Sequence, residues 1–141
     1  MSISAPVAIE VILRFDVPPD DVEAFQTRLA FVLELFGRQS GFVSGWLAQS
    51  IDEAEVAALG SRWERVGDWR RALSSPEVKL HASEVLYRCR MEPTVFEVVR
   101  QIDAVDGVPT VRSGQSARAA DADAAAPGAA AAASVRPAWR A

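Results

Sequence analysis

The chain has a single cysteine, Cys89, in 141 residues. One thiol excludes an intrachain disulfide and leaves no cysteine set for zinc or an iron–sulfur centre, which suits a reducing cytoplasm. Histidine is equally scarce, with His81 alone, so a site built from several imidazoles is excluded. Positive charge is also short: 15 Lys and Arg against 19 Asp and Glu give a net charge of −4 and a pI near 5.0. Such a chain has no average field for a phosphate backbone, and nucleic acid is not expected as a partner. Long apolar runs are missing as well. A membrane span needs roughly 18 consecutive apolar residues, and the stretch after "MSISAPVAIE" is interrupted by Arg14. The opening has no basic region of the kind a secretory signal carries. A soluble protein retained in the cytoplasm, with no membrane partner, is the expectation.

What is present is a core. Half of the residues are hydrophobic, and the length suits one domain. From Val7 to Phe15 the odd positions Val7, Ile9, Val11, Leu13 and Phe15 are apolar while Glu10 and Arg14 fall on the other face, a strand with one side committed to the interior. "DVPPDDVEAF" supplies a proline turn and a capping pair, Asp20 with Glu23. Val22, Phe25, Leu29, Val32, Leu33 and Phe36 then repeat at helical steps, and Gly37 or Gly41 ends the helix.

"GFVSGWLAQSI" (41–51) carries bulky residues on both faces and reads as a strand buried on more than one side. "AALGSRWE" (57–64) reads as its hairpin partner across "DEAE", with Gly45 and Gly60 marking bulges or close approaches. Residues 67–73 form a short helical segment with Trp69 and Leu73, and "SSPE" restarts the helix, with Ser74 and Glu77 as a capping box and Pro76 in the first turn. Val78, His81 and Val85 share one stripe of this helix, which places His81 inward. "EPTVFEVVRQI" (92–102) is the final strand.

The order is β-α-β-β-α-β. It predicts an α+β, ferredoxin-like domain over residues 1–106, with a four-stranded antiparallel sheet and helices on one face. From 107 to 141 the composition turns to Ala, Pro and Gly, and this stretch reads as a disordered tail. Its last residues, "SVRPAWRA", have the form of a tethered docking peptide for a protein partner. The sheet face without helices, with Trp46, needs a cover, and a second copy of the chain is the simplest one, giving a homodimer.

The strand–helix opening, "SGF" before the second strand, "RWE" closing the third and "W…SSPEVKLH" in the second helical region resemble the antibiotic biosynthesis monooxygenase superfamily of dimeric α/β barrels. The resemblance covers about residues 7–100. It implies a pocket between helices and sheet, a flat aromatic ligand such as a polyketide phenol, quinol or haem, and in some members oxidation with no metal or flavin. Distantly, the chain is similar to the actinobacterial haem-degrading branch, in which a helix histidine matching His81 ligates iron. That branch has an asparagine and a tryptophan where this chain has Leu13 and Ala72, so haem binding at His81 without normal haem cleavage is the form this likeness takes here.

The expected site follows: His81 as catalytic base or orienting group, and Leu13, Phe25, Leu29, Trp69 and Ala72 as the substrate-binding wall. The leading expectation is a cofactor-independent monooxygenase acting on a polycyclic or quinol-type aromatic. The alternatives are the haem binder and a non-catalytic ligand-binding or accessory dimer whose pocket Leu13, Phe25 and Leu29 close.

Overall fold

The computed structural model describes residues 2–6 and 8–115. In chain order the elements are β1 (Ser2–Pro6), β2 (Ile9–Asp16), α1 (Val22–Gly37), β3 (Phe42–Gln49), β4 (Val56–Trp63), α2 (Val66–Ser74), α3 (Pro76–Leu86), β5 (Val95–Glu97), β6 (Arg100–Val105) and β7 (Val108–Gln115), with a 3-10 turn at Pro19–Asp21 before α1. A four-stranded antiparallel sheet runs β3-β4-β2-β5, the arrangement a ferredoxin-like β-α-β-β-α-β chain requires.

Alternation along β2 buries Ile9, Val11, Leu13 and Phe15 against the helices and leaves Arg14 and Asp16 exposed. The stripe of α1 closes on them with Phe25, Leu29, Val32, Leu35 and Phe36. The second helical region adds Trp69, Ala72 and Leu73 from α2 and Val78, Ala82, Val85 and Leu86 from α3. These side chains form one buried cluster.

Both caps differ from the reading of the sequence. Pro18 and Pro19 lead into a 3-10 turn, and α1 starts after Asp21 with no side-chain cap. At α3 the cap is Ser75, not Ser74: its hydroxyl accepts from the Val78 N–H at 3.3 Å. Ser75→Ala is expected to cost about 1 kcal/mol in a urea titration, whereas Ser74→Ala changes little.

Strand β3, expected to be buried on more than one side, is a largely exposed edge strand. Its bulky residues have an uncovered outer face beside them, and β4 takes the buried interior position. The final strand is also divided. Val98 N–H donates to the Ala8 carbonyl at 3.0 Å, and beyond that bond the chain enters a second, three-stranded sheet, β1-β7-β6. Residues 108–115, assigned by composition to the tail, are strand β7, antiparallel to β6 and parallel to β1. Asp106 and Gly107, at φ +52° and +77°, make the tight two-residue turn favoured in hairpins, and this local signal outweighs the composition. Residues 116–141, including "SVRPAWRA", lie outside the described residues.

Candidate functional site

Three elements bring the expected wall together. Leu13 comes from β2, Phe25 and Leu29 from α1, and Trp69 and Ala72 from α2, and all five sit in the buried cluster between helices and sheet. Around them the aromatic rings interlock, edge to face except for the tilted Trp63–Trp69 pair. Trp69 meets Phe36 at 5.3 Å and Trp63 at 5.6 Å, Trp63 meets Phe42 at 5.4 Å, and Phe15 meets Phe25 at 5.5 Å. The Arg88 guanidinium lies 4.4 Å over the Phe25 ring, a cation–π contact at the edge of this layer. The interior is filled: Leu13 and Leu29 have 0% of their surface exposed, so no water-sized space adjoins either side chain.

His81 does not join this wall. It is exposed, and Ala82, one residue on, takes the inward position with 0% exposure. Both residues satisfy helical spacing from Val78, and burial decides between them. A methyl group fits the contact with α1 at no cost in solvation, whereas a buried imidazole would need hydrogen-bond partners. His81 instead meets Phe31 of α1 edge to face, with centroids 6.0 Å apart. Phe31, 41% exposed, was not legible as a site residue. Its one signal is an aromatic ring placed off the apolar stripe of its helix. Beside this pair Arg28 and Glu84 bridge the same two helices at 3.9 Å.

The opposite sheet face carries a second constellation. Register places Phe96, Glu10, Arg62 and Ser44 in one cross-strand row, Ile12, Gly60 and Trp46 in the next, and Arg14, Ala58 and Ala48 in a third. Trp46 lies flat over Gly60, where an added Cβ would collide with the indole ring. Arg62 donates to Glu10 at 2.8 Å and to Gln101 at 2.6 Å, tying the two sheets. Toward the β3–β4 turn the face hollows into a recess of about 370 Å³ lined by Trp46, Ala48, Ala58, Arg14 and Arg90, with Asp52 and Glu53 on the turn.

Arg90 holds Asp16 through two bonds of 2.6 and 3.0 Å. Its hydrogen bonds lower the Asp16 pKa, and the same pairing raises that of Arg90. A carboxylate whose folded pKa lies below its unfolded value near 3.9 contributes stability above that value and loses it as pH falls through the folded value. Asp16→Asn is therefore expected to lower Tm slightly at pH 7 and by less at pH 2. An equal shift at both values would overturn the assignment to this ion pair. The pair is exposed, so the effect is small.

Among the described residues no group of three or more His, Cys, Asp and Glu is placed to hold a metal ion, and no helix is long and apolar enough to cross a membrane.

Known proteins fall in line with this geometry. The chain resembles solved structures from several organisms. A protein from Methanosarcina mazei aligns at TM-score 0.55 and 18% identity over 64% of this chain and 90% of its own. Rv0793 from Mycobacterium tuberculosis aligns at 0.55 and 20% over 70% and 99%. A variant of SnoaB, a cofactor-independent oxygenase from Streptomyces nogalater, aligns at 0.52 and 24% over 64% and 87%. At these identities the likeness shows the fold. No curated protein matches by sequence. The model of one family, described as antibiotic biosynthesis monooxygenase, matches residues 8–83, more than half of the chain and all of the layer from β2 into α3, and the chain therefore belongs to the antibiotic biosynthesis monooxygenase family.

Proposed function

We propose that this chain is a monooxygenase of the family's cofactor-independent kind, acting on a flat, electron-rich aromatic of the anthrone or quinol class. The observation that carries the reading is the His81–Phe31 pair on the seam of α1 and α3. A half-exposed phenylalanine offers a stacking edge for a flat ring. An exposed imidazole beside it offers a ring nitrogen that can act as a base toward a ring bound there. With an anthrone, His81 removes the proton, the resulting carbanion gives its electrons to dioxygen, and loss of water leaves the quinone with one oxygen atom of the pair. In this reading Leu13, Phe25, Leu29, Trp69 and Ala72 form the buried apolar layer behind the site. SnoaB, described as a cofactor-independent oxygenase, supports this chemistry by likeness.

Oxygen uptake with anthrone as probe tests it. Turnover by the intact chain is expected to fall at least tenfold in His81→Ala and to fall also in Phe31→Ala, with one atom of labelled dioxygen in the product. A rate equal to that of buffer, or an unchanged rate in His81→Ala, would overturn it. Haemin added to the same two proteins tests the haem alternative, because a Soret shift seen in wild type and lost in the variant would make His81 an iron ligand.

The filled interior favours a second reading, a ligand-binding or accessory dimer without turnover. In either reading we propose that a second copy covers the outer sheet face, where Ile12 shares a cross-strand row with Trp46 and Phe96 lies in the neighbouring row. Light scattering is expected to give twice the chain mass of 15.2 kDa. A clean monomer would leave that face uncovered and overturn the dimer.

A further inference from the structure

The second sheet leaves β6 bonded on one side. In the order β1-β7-β6, β6 pairs with β7 alone among the described strands. Alternate N–H and carbonyl groups of Arg100–Val105 therefore point away from β7. Such an edge is a template for another strand, and proteins blunt it with lysine, proline, a bulge or an unmatched inward charge. Strand β6, "RQIDAV", has no lysine or proline, and its pairing with β7 runs without a register shift. Its one carboxylate, Asp103, is matched by Arg112 at 3.3 Å. Along the hairpin Val99, Ile102, Val105 and Val108 are all 60% exposed or more, apolar surface that a partner would cover.

The sequence of β6 states what pairs with it. A two-fold axis that joins an edge to its own copy stands normal to the sheet, so it keeps every side chain on its own face. Directly opposed residues of an antiparallel pair also share a face. The axis must then pass through a residue and not between two, and each choice gives one register. At Arg100 or Asp103 like charges would meet. At Gln101 or Ala104 the Asp103 carboxylate would oppose Val99 or Val105, and at Val105 the overlap would run into the Asp106-Gly107 turn. At Ile102 the two isoleucines oppose one another, Val99 opposes Val105, Gln101 opposes Asp103 and Arg100 opposes Ala104. Gln101 already donates to Asp103 of its own strand at 2.9 Å, so polar groups meet polar groups and apolar groups meet apolar ones.

We propose that β6 pairs antiparallel with β6 of a second copy about an axis at Ile102, so that the two second sheets become one. This supplies another contact for the dimer proposed above and rests on that reading for its partner. The two surfaces are continuous. Arg62, in the same cross-strand row of the outer face as Phe96, donates to Gln101 of β6 at 2.6 Å, so a copy lying on that face has the free edge at its rim.

The test reads the register in the full chain. Ile102→Cys sets two thiols directly opposite each other, with Cα atoms about 4.5–5.5 Å apart, inside the range a disulfide spans. Cys89 is buried and stays out of the reaction. Mild oxidation is expected to convert most of Ile102→Cys to a covalent dimer on a non-reducing gel. Ala104→Cys by itself should remain a single chain, because its two thiols are offset by four residues, about 13 Å. Ala104→Cys co-expressed with Arg100→Cys should cross-link, since those positions oppose each other. Cross-linking of Ala104→Cys alone to the extent of Ile102→Cys would show random collision and overturn the proposal. Light scattering on the reduced variants separates it from the dimer itself. Twice the chain mass of 15.2 kDa without cross-linking of Ile102→Cys would overturn the edge contact and leave the dimer standing, whereas a single-chain mass would overturn both.

Discussion

Trp63→Ala is expected to destabilise the domain by about 3–5 kcal/mol, the largest loss for any single truncation in this fold. Trp63 is 0% exposed and ends β4 where it meets three other rings, Phe36 at 6.0 Å, Phe42 at 5.4 Å and Trp69 at 5.6 Å. Its Nε1 also donates to Ser61 Oγ at 2.8 Å, and Ser61 is itself buried. Alanine therefore leaves a ring-sized cavity and a buried hydroxyl without this donor, two penalties of separate origin. Trp63→Phe keeps most of the packing and loses the hydrogen bond, so its cost should be less than half as large. Urea titrations of the two variants check this. A loss below 1 kcal/mol for Trp63→Ala would mean that the aromatic layer does not hold the sheet to the helices.

Gly41→Ala should cost about 2–4 kcal/mol, well above what a surface turn glycine costs. Gly41 sits at φ +87°, a region where an L side chain is strained by about 1–2 kcal/mol. An added Cβ there would also collide with the side chain of Asp68, a buried carboxylate paired with Arg71. Relief of the collision must shift Asp68 or the start of α2. Gly107 provides the control: its φ is +77°, and an added Cβ meets nothing within 4 Å. Gly107→Ala should show the backbone strain alone, about 1–2 kcal/mol. Equal costs at the two positions would refute the steric part of the account.

The domain was legible in the sequence wherever one physical demand acted alone. Alternation in β2 and the stripe of α1 each point to a single buried face, and Ile9, Val11, Leu13, Phe15, Phe25, Leu29, Val32 and Phe36 are buried in the structure, while Leu35 takes a core position where the stripe had Leu33, which is partly buried. Gly60 was legible as a close approach, and Trp46 is what approaches it. Where two demands competed, spacing was not enough. Val78 and Val85 admit either His81 or Ala82 as the inward residue between them, and only the contact of α3 with α1 makes the smaller, apolar one the better choice. The tail boundary failed for a related reason. A compositional trend over many residues concealed the Asp106-Gly107 turn, which acts over two.

The candidate site divides in the same way. Leu13, Phe25 and Leu29, legible from periodicity, and Trp69 and Ala72, implied as site residues by the family resemblance, converge in one layer, because apolar surface from each element must leave water together. The sequence by itself determined the α+β order of elements, the core-facing sides of β2 and α1, the scarcity of metal-ligating side chains and the family. Tertiary structure alone decided that the interior layer is filled, that His81 stands outside it against Phe31, that Trp46 lies open on Gly60, and that β7 joins β1 to β6. The reason is range. Periodicity reports which face of an element avoids water, but which residues of separate elements meet, and how much space remains between them, depends on packing that no single segment contains.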